Sequence, residues 1–417
     1  MMKRTTAAAV TMAVMMAGVS AFSLCLAGCS AQGTGGGAGT SPVQESGNGS
    51  ESSPNGGQEA GSGQQAANAQ EAGSGQQAAD AQEAGSGQQP ADAQGAESSQ
   101  QPADAQGAGS GQPSIGEAED VTVILDYVAN TNHTGMYVAL DQGYYGEEGL
   151  NVKIIEPTEG ATATLIAVGK GDFGISYQED VTIALTSADP LPIKAIAAII
   201  QHNTSGFATY ADKKINSPKD FEGKTYAGWG GPGEEAVLKA VMTQAGGDFS
   251  KLNMVVSDGS GFEALRDKAD IMWFFEAWDN VKCKLNDFPI DYTPVRDLDE
   301  RLDYYTPVII ANRKTLEEKP DMVRKFLAAT EKGYEYAIAN PEESAKILHK
   351  YAPDYSLEML TMSQEYLGPK YAEDSERWGL MKDQVWDNYT EFMAEYGVID
   401  QVIPADQCYT NEFLPKP

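Results

Sequence analysis

Four side chains that suit recognition of a small molecule follow the apolar run VTVIL. They are Asp126, Tyr127, Asn132 and His133. A tyrosine ring can stack on a flat heterocycle, while asparagine and histidine give directional donors and acceptors to its edge. Asparagine is also a common helix N-cap, and a helical pattern begins just after this stretch. The stretch therefore predicts one wall of a binding site, with capping as the alternative for at least one of its asparagines.

A second cluster of polar side chains begins at the end of the apolar run FGIS. Ser176 and Glu179 form the pattern Ser-x-x-Glu, which is typical of a helix capping box. Tyr177 and Gln178 lie between them, at the predicted strand-to-helix turn, and such turns border the ligand in open α/β sheets. We therefore predict that Tyr177 and Gln178 contact the ligand, and that Ser176 and Glu179 cap the helix.

A glycine-rich loop, GWGGPG at residues 228–233, follows a predicted strand and precedes a predicted helix. It matches the pattern GxGxxG, in which backbone N–H groups cradle a phosphate at a helix N-terminus. Glu234 and Glu235 occupy the first helical turn, where carboxylates suit the helix dipole but repel a phosphate. The loop is therefore predicted to border the ligand, with Trp229 as a stacking partner or, alternatively, as part of the core.

The elements that must position these side chains alternate along the chain. Short apolar runs typical of strands cover residues 121–125, 152–155, 173–176, 193–200, 225–228, 253–256, 271–275 and 306–311. Helical periods lie between them, at residues 136–145, 161–171, 180–188, 234–246 and 261–269, and further ones cover the tail after residue 315, the last near 374–396. Strand followed by helix, repeated, predicts an α/β fold with parallel sheets and a helical C-terminal tail.

Two extended apolar segments, residues 199–210 and 302–313, lack a helical period and would suit two crossings between lobes. They predict a first lobe of residues 117–204 and 309–417, and a second lobe of residues 205–308. Ligands in open α/β sheets bind beyond the carboxyl ends of the strands. Two lobes joined in this way would bring both sets of strand ends to one cleft.

The N-terminal residues are predicted to form an export signal. Lys3 and Arg4 precede an apolar run that ends in Leu26-Ala27-Gly28-Cys29, the order of a charged n-region, an apolar core and a cleavage site. The last four residues resemble a bacterial lipobox, so residues 1–28 are predicted to be removed and Cys29 to carry lipid. A spanning helix is the alternative, because the run is long enough to cross a bilayer.

Residues 30–116 consist mainly of Gly, Ser, Gln and Ala, with a twelve-residue repeat from Gln58. The repeat lacks large apolar side chains, so it cannot offset the entropy lost on ordering. We predict that residues 29–116 comprise the lipidated cysteine and a flexible tether, with a root-mean-square span of roughly 50 Å.

The charge of the remaining chain limits its partners. Nine of the 60 acidic and two of the 29 basic residues precede residue 117, so the remainder carries 51 acids and 27 bases. Such an acidic surface disfavours nucleic acid and anionic lipid headgroups. We therefore expect no nucleic-acid partner.

Cysteines and histidines are few. His133, His202 and His349 have no metal-ligand spacing, so we expect no protein metal site. Cys283 and Cys408 can form a disulfide in an oxidising compartment, and two unpaired buried thiols are the alternative that we slightly favour.

Three segments carry a resemblance to a known family. They are LDYVANTNHTGMYVALDQGYYGEEGLNVKII, GATATLIAVGKGDFGISYQED and VIIANRKTLEEKPDMVRKFLAATEKGYEYAIANPEES. These segments resemble ABC-transporter substrate-binding proteins. Within that family, NTNHTG-YVA and FG-SYQE are similar to signatures of the branch that binds thiamin pyrimidine precursors.

The resemblance implies a two-lobed, periplasmic-binding-protein-like type II fold with two crossover strands. It also implies a monomeric binding protein without enzymatic activity or cofactor. Its ligand would be an aminopyrimidine of the formylaminopyrimidine or hydroxymethylpyrimidine type, delivered to ABC permease and ATPase subunits. The protein would lie outside the cytoplasmic membrane, held by the Cys29 lipid anchor.

An aminopyrimidine ligand suggests roles for three further residues. A carboxylate can pair with the protonated edge of a 4-aminopyrimidine as it does with guanidinium. Glu276, which follows the run IMWFF, or Glu235 is expected to do this, and an exposed glutamate in a first helical turn is the alternative for each. Tyr305, in the second crossing, is expected to close the cleft.

Other functions remain open at this stage. The family's related branches bind riboflavin, or nitrate, sulfonate and taurine, and the motifs above contain few bases for an anion. Eukaryotic pyrimidine synthases are also similar, but they use a lysine near the position of Ser176 and a cysteine-rich segment that this chain lacks. An adhesin displayed on the tether has support only from the tether itself.

Overall fold

The computed structural model describes residues 118–157, 161–257, 261–262 and 266–416. The predicted signal, Cys29 and the tether lie outside these residues. Two five-stranded sheets, each accompanied by helices, form the described part. The predicted α/β class is confirmed.

The first sheet has the strand order β2-β1-β3-β10-β4, in which β10 runs antiparallel to its two neighbours and the other pairs are parallel. Its strands in chain order are β1 Glu119–Ile124, β2 Leu150–Ile155, β3 Phe173–Ser176, β4 Ile193–Ala198 and β10 Val308–Asn312. All five coincide with predicted runs to within a few residues.

The second sheet has the strand order β7-β6-β8-β5-β9, and β5 runs antiparallel to β8 and β9. Its strands are β5 Ser205–Tyr210, β6 Thr225–Gly228, β7 Asn253–Val256, β8 Ile271–Phe275 and β9 Ile290–Pro294. Strand β5 lies in segment 199–210, which was predicted as a crossing and not as a strand, and β9 was not predicted. Strand β9 is partly exposed at the edge of the sheet, so its sequence IDYTP lacks the apolar run that marks a buried strand.

Two crossings join the sheets. Strand β4 ends at Ala198 and β5 begins at Ser205, while β9 ends at Pro294 and β10 begins at Val308. Each crossing therefore leaves one sheet at its carboxyl edge and enters the other at the same edge, which turns the two carboxyl edges toward each other. The residue boundaries of the two lobes stay a prediction.

Twelve α-helices lie in the described residues. They are α1 Thr134–Asp141, α2 Tyr144–Glu147, α3 Thr162–Ala167, α4 Gln178–Thr186, α5 Pro232–Gln244, α6 Val281–Leu285, α7 Arg313–Glu318, α8 Pro320–Ala339, α9 Pro341–Tyr351, α10 Leu357–Leu367, α11 Asp383–Glu395 and α12 Ala405–Cys408. Helix α11 is shorter than the predicted final helix.

The helix predicted over residues 261–269 is wrong for the residues that the structure describes there, which form turns. Phe262 stacks on Tyr210 at 3.9 Å between ring centroids, and its carbonyl oxygen accepts a hydrogen bond from the Tyr210 hydroxyl. These tertiary contacts hold the backbone in a turn despite the helical period of the side chains.

The C-terminal tail packs on both sheets. Helices α8, α9 and α10 contribute to the apolar core of the first sheet. Three side chains of α11, Tyr389, Phe392 and Met393, instead join the core of the second sheet. The last helices therefore connect the two sheets in addition to the crossings.

The packing of α1 on α8 sets the position of the predicted binding wall that follows β1. Gly135 on α1 and Gly333 on α8 face each other so closely that a Cβ on Gly333 would clash with the Gly135 carbonyl oxygen. Helix α1 begins directly after His133. The approach of the two helices therefore fixes where His133 lies.

Replacing Gly333 with alanine is expected to lower the free energy of unfolding by about 2 kcal/mol. The added methyl group meets backbone, which cannot rotate away, and this outweighs the better helix propensity of alanine. Urea unfolding followed by circular dichroism measures the change. Gly146→Ala is the matched control, because a Cβ there meets nothing within 4 Å; equal stability of the two variants would contradict the prediction.

No helix of the described residues is long and apolar enough to span a membrane. Cys283 and Cys408 are both buried and unpaired, which confirms the favoured alternative. Burial raises the pKa of Cys283 to about 11 and that of Cys408 to about 12, so neither thiol is activated as a nucleophile at neutral pH.

Candidate ligand-binding site

A buried hydrogen-bonded triad stands at the carboxyl edge of the first sheet. One oxygen of Asp126 lies 2.7 Å from His133 Nε2, and the other accepts a 2.6 Å hydrogen bond from the Tyr177 hydroxyl. The His133 side chain is fully buried, and that of Asp126 is 5% exposed. Asp126 follows β1 and Tyr177 follows β3, so two neighbouring strand ends bring these groups together.

Local backbone geometry orients His133. A 3-10 turn over Thr131–His133 follows Asn130, which caps it. The Asn130 N–H donates to His133 Nδ1 at 3.3 Å, and this assigns the ring hydrogen to Nε2, facing Asp126. Both ring nitrogens of His133 are therefore occupied by protein groups. His133 thus has no free polar atom for the predicted direct contact with a ligand. We infer that His133 positions Asp126 instead.

The triad keeps Asp126 ionised. Burial acts to raise the pKa of Asp126, but attraction to the His133 ring and hydrogen bonds from His133 and Tyr177 outweigh it, so the pKa lies below its usual value. Burial and the neighbouring Asp126 raise the pKa of Tyr177 well above its usual value. Burial and Asp126 also raise the pKa of the half-buried Asp180 to about 6.

Tyr127 presents a half-buried ring next to this triad. Burial raises its pKa, and so do the negative charges of Asp279 and Glu156. Asp279 follows β8 of the second sheet, whereas Glu156 follows β2 of the first. The negative charges that raise the pKa of Tyr127 therefore come from both sheets.

Two other residues predicted to contact the ligand, Asn132 and Gln178, differ in whether their side-chain amides are free to bind it. Asn132 is half-buried, and its side-chain amide forms no hydrogen bond within the part of the chain that the structure describes. Gln178 is fully buried. Its amide donates to the Val385 carbonyl at 3.0 Å and accepts from the Tyr305 N–H at 2.9 Å. Asn132 can therefore meet a ligand, whereas Gln178 ties α4 to the second crossing.

Tyr305 is also committed to the protein. Its side chain is 1% exposed, and its hydroxyl accepts a 3.0 Å hydrogen bond from the Lys382 N–H. The preceding Tyr304 stacks on Tyr389 with ring centroids 3.9 Å apart. The structure thus places Tyr305 in the protein interior. Its ring is not exposed, as the expected role in closing the cleft would require.

The glycine loop between β6 and α5 is folded around Glu234. This carboxylate accepts hydrogen bonds from the Trp229 N–H at 3.2 Å and the Gly230 N–H at 2.7 Å, and from the Tyr226 hydroxyl. Trp229 packs edge-to-face on Trp273 at 5.4 Å, and its Nε1 is buried without a hydrogen-bond partner among the described residues. Glu235 is exposed on the outer side of α5.

Glu179 connects the two sheets. It accepts a 2.7 Å hydrogen bond from the Tyr389 hydroxyl, and its carboxylate lies where a Cβ of Gly233 would be. Burial raises its pKa to about 7; the Tyr389 hydrogen bond opposes this shift, and the negative charges of Asp180 and Glu234 add to it. The N-termini of α4 and α5 thus meet through one buried carboxyl group.

The predicted capping box at this turn is wrong. Tyr177 is the N-cap of α4, and no side chain caps the helix. Ser176 is the last residue of β3, and its Oγ is buried without a hydrogen-bond partner among the described residues. Because Glu179 turns toward Tyr389, 210 residues later in the chain, no local pattern could have shown its role.

Glu276 joins the second sheet to the helical tail. Its carboxylate accepts a 2.6 Å hydrogen bond from the hydroxyl of Tyr366 on α10, and its backbone N–H donates to the Thr204 carbonyl in the first crossing at 3.0 Å. Next to it, Trp278 packs edge-to-face on Tyr355 at 4.8 Å. Tyr355, just before α10, and Tyr366, within it, were missed, because the sequence around them carries no signal beyond the apolar period of the helix.

Two open surface pockets lie away from these groups. One, of about 350 Å³, is lined by Thr122, Lys170, Asp172, Lys314 and Lys319 among others. The other, of about 550 Å³, is lined mainly by apolar residues near Pro190 and Val402. Within the described ranges, no group of three His, Cys, Asp or Glu side chains could hold a metal ion.

The profile of the NMT1/THI5-like family matches residues 130–344, more than half of the chain. The chain belongs to the NMT1/THI5-like family. The matched span contains Asn132, His133 and Tyr177 near the first sheet, and Glu234 and Glu276 near the second sheet. Asp126 and Tyr366 lie outside it.

Proteins with different names are similar to this chain. The chain is 27% identical to the formylaminopyrimidine-binding protein of Halalkalibacterium halodurans over 306 residues, which cover 70% of this chain and 90% of that protein. It is 25% identical to a 4-amino-5-hydroxymethyl-2-methylpyrimidine phosphate synthase of Legionella pneumophila, covering 71% and 92%. Identity to the riboflavin-binding protein RibY of Chloroflexus aurantiacus is 23%, covering 73% and 88%.

Solved structures agree on the fold. The alkanesulfonate-binding protein SsuA of Xanthomonas axonopodis matches with a TM-score of 0.55 at 10% identity, covering 71% of this chain and 99% of that one. A Candida albicans protein described as having the generic periplasmic binding protein fold matches with a TM-score of 0.52 at 17% identity, covering 72% and 98%. The predicted periplasmic-binding-protein-like fold is confirmed.

Proposed function

We propose that this chain is the extracytoplasmic substrate-binding protein of an ABC importer and captures a thiamin pyrimidine precursor by closure of two lobes. The ligand is an aminopyrimidine of the formylaminopyrimidine or hydroxymethylpyrimidine type. Cys29 carries the lipid that anchors the protein outside the cytoplasmic membrane, and permease and ATPase subunits receive the ligand. The protein acts as a monomer and performs no chemical step.

The observation that carries the ligand class is the half-buried Tyr127 ring, whose pKa is raised by burial and by the negative charges of one carboxylate from each sheet. Asp279 and Glu156 are close enough to raise the pKa of Tyr127. A flat heterocycle stacked on that ring would find anionic acceptors for an exocyclic amine or a protonated ring nitrogen. Lys282 lies near Asp279 and partly offsets its charge. The free amide of Asn132 supplies a further donor and acceptor.

Similar sequences and similar solved structures both include binding proteins. One relative is named for binding formylaminopyrimidine, and the solved neighbours include binding proteins for other solutes. Relatives named as synthases argue for an enzyme instead. Ser176, with its unpartnered hydroxyl, stands near the position expected for the synthase lysine, and this favours binding without catalysis.

A thermal-shift screen followed by calorimetry tests the proposal. The panel holds formylated and hydroxymethyl aminopyrimidines, thiamin, riboflavin, taurine, an alkanesulfonate and nitrate. A ligand that binds only the native state raises the melting temperature by mass action. A shift with an aminopyrimidine alone supports the proposal. A shift with riboflavin or an anion alone would keep the transport role but overturn the ligand chemistry.

Tyr366→Phe is expected to weaken ligand binding about tenfold, the loss of one hydrogen bond to a charged group. The Tyr366 hydroxyl holds Glu276 across the junction of α10 with the second sheet, so its removal makes the closed arrangement less favourable. Calorimetry with the ligand from the screen measures the change. Tyr336→Phe is the control, because that half-buried hydroxyl bonds to no described residue. Unchanged ligand affinity in Tyr366→Phe would show that the hydrogen bond between Tyr366 and Glu276 does not contribute to closure.

A further inference from the structure

The glycine loop has the chain order of a phosphate-binding loop. Strand β6 ends at Gly228, the glycines follow, and α5 begins at Pro232. Backbone N–H groups at such a junction, together with the helix dipole, form an anion-binding position. In this protein the N–H groups of Trp229 and Gly230 point at an anion that belongs to the chain itself, the Glu234 carboxylate.

The Glu234 carboxylate fills the position completely. The residue is 1% exposed. One oxygen accepts from the Trp229 N–H and the Tyr226 hydroxyl, and the other accepts from the Gly230 N–H. The carboxylate packs so tightly on Gly228 that a Cβ there would clash with it. An external phosphate therefore cannot take the Trp229 and Gly230 N–H groups, or the space beside Gly228, while Glu234 occupies them.

A second carboxylate closes the outer side of the loop. Glu179, from the first sheet's helix α4, lies against Gly233 in the first turn of α5, and the charge of Glu234 contributes to its raised pKa. An incoming dianion would meet these two acidic groups, and repulsion between like charges is strongest where water is scarce. Exposed Glu235 is not part of this arrangement.

We propose that Glu234 is a specificity-determining residue that occupies the loop's anion position and excludes phosphorylated and other anionic ligands from the cleft. The inference rests on the proposed function in that the loop borders the ligand. It adds a direction of selectivity: the protein takes the free aminopyrimidine and rejects its phosphate ester. The exclusion follows from the filled position and does not require identification of the pyrimidine.

Inorganic phosphate is the probe. Calorimetry on the full-length protein, with ionic strength matched by chloride, compares wild type with Glu234→Gln and Glu234→Ala. Glutamine removes the charge but keeps the shape, and alanine also empties the position. We expect a gain in phosphate affinity of at least about tenfold in Glu234→Ala, because the like charge and the side chain that fills the position are both removed. Glu234→Gln removes only the charge and is expected to show a smaller gain. If Glu234→Ala does not fold, Glu234→Ser, which also empties the position, carries the test.

The matched control is Glu235→Gln, which removes the same charge from the next residue on the exposed side of α5. It is expected to bind phosphate as weakly as wild type does. Circular dichroism and melting temperatures establish that each variant is folded. A gain in the Glu234 variants but not in Glu235→Gln supports the inference. Equal phosphate affinity in wild type and folded Glu234 variants overturns it.

The aminopyrimidine screen on wild type separates this inference from the proposed function. A gain of phosphate binding in the Glu234 variants, with no aminopyrimidine bound by wild type, supports the filled loop and removes the proposed ligand. Wild type that binds an aminopyrimidine and its phosphate ester equally well keeps the proposed ligand and overturns the exclusion.

Discussion

Replacing Asp126 with asparagine is expected to lower ligand affinity by about 100-fold, the loss of roughly two hydrogen bonds to a charged group. The Asp126 carboxylate accepts from His133 Nε2 and from the Tyr177 hydroxyl. An asparagine of the same shape turns an NH₂ group toward one of these donors. The donor loses its acceptor, and the wall that places Asp126 beside Tyr127 rearranges.

Calorimetry with the ligand from the screen measures this effect, at a temperature where both proteins are folded. Asp400→Asn is the matched control, because Asp400 is exposed. The melting temperature of Asp126→Asn is also expected to fall, since unpaired buried donors destabilise the folded state. Full ligand affinity in Asp126→Asn would remove the first-sheet wall from the site.

Replacing Glu179 with glutamine is expected to stabilise the protein at pH 8 and to flatten its stability between pH 4.5 and 7. Burial raises the pKa of Glu179 to about 7 in the folded protein. The folded state therefore binds this proton more tightly than the unfolded chain does. The resulting stabilisation is fully present below the unfolded pKa and is lost as the pH rises through about 7.

The size of the effect follows from the shift. A rise in pKa from 4.5 to about 7 corresponds to an upper limit of about 3 kcal/mol. Glutamine keeps an oxygen for the Tyr389 hydroxyl, which donates to Glu179, and carries no charge to bury. Urea unfolding from pH 4.5 to 8 measures the change. Glu391→Gln, on the exposed face of α11, is the control and should keep the wild-type slope.

Some slope will remain in Glu179→Gln. The pKa of Asp180 is raised by burial and by Asp126 to about 6, and burial raises that of Glu234, so both lose stabilisation as the pH rises. A hydrogen bond to Asp303 raises the pKa of His202. The stabilisation from His202 is therefore also lost as the pH rises, but at higher pH. Asp126 acts oppositely, since its lowered pKa makes its stabilisation vanish only in acid. An unchanged wild-type slope in Glu179→Gln would show that Glu179 is ionised throughout.

Strand positions could be predicted because the information is local. The runs FGIS, TYAG, NMVV and IMWFF are strands at the predicted residues. Short apolar runs between helical periods are sufficient to predict a strand, even for the exposed edge strand NMVV. Strand β9 and the turn at Phe262 were missed, because the sequence IDYTP contains no apolar run and contacts with Tyr210 override the helical period.

The candidate wall after β1 was also predictable in outline, since strand ends border ligands in α/β folds. The division of labour within it was not. His133, Gln178 and Tyr305 have polar atoms that other protein groups occupy, and Asn132 keeps a free amide. Residue type is the same whether a side chain faces the cleft or the core, so only the packed structure separates the two.

The sequence by itself determined the alternation of strands and helices, the α/β class and the strand ends at which polar side chains gather. Periodicity and turn residues act over a few positions, and these features need no distant partner. Tertiary structure decided which carboxylates meet. Glu179 reaches Tyr389, Glu276 reaches Tyr366, and Glu234 folds back on its own glycine loop. Such pairs depend on how helices from distant parts of the chain pack around two sheets, and that packing is fixed only when the cores assemble.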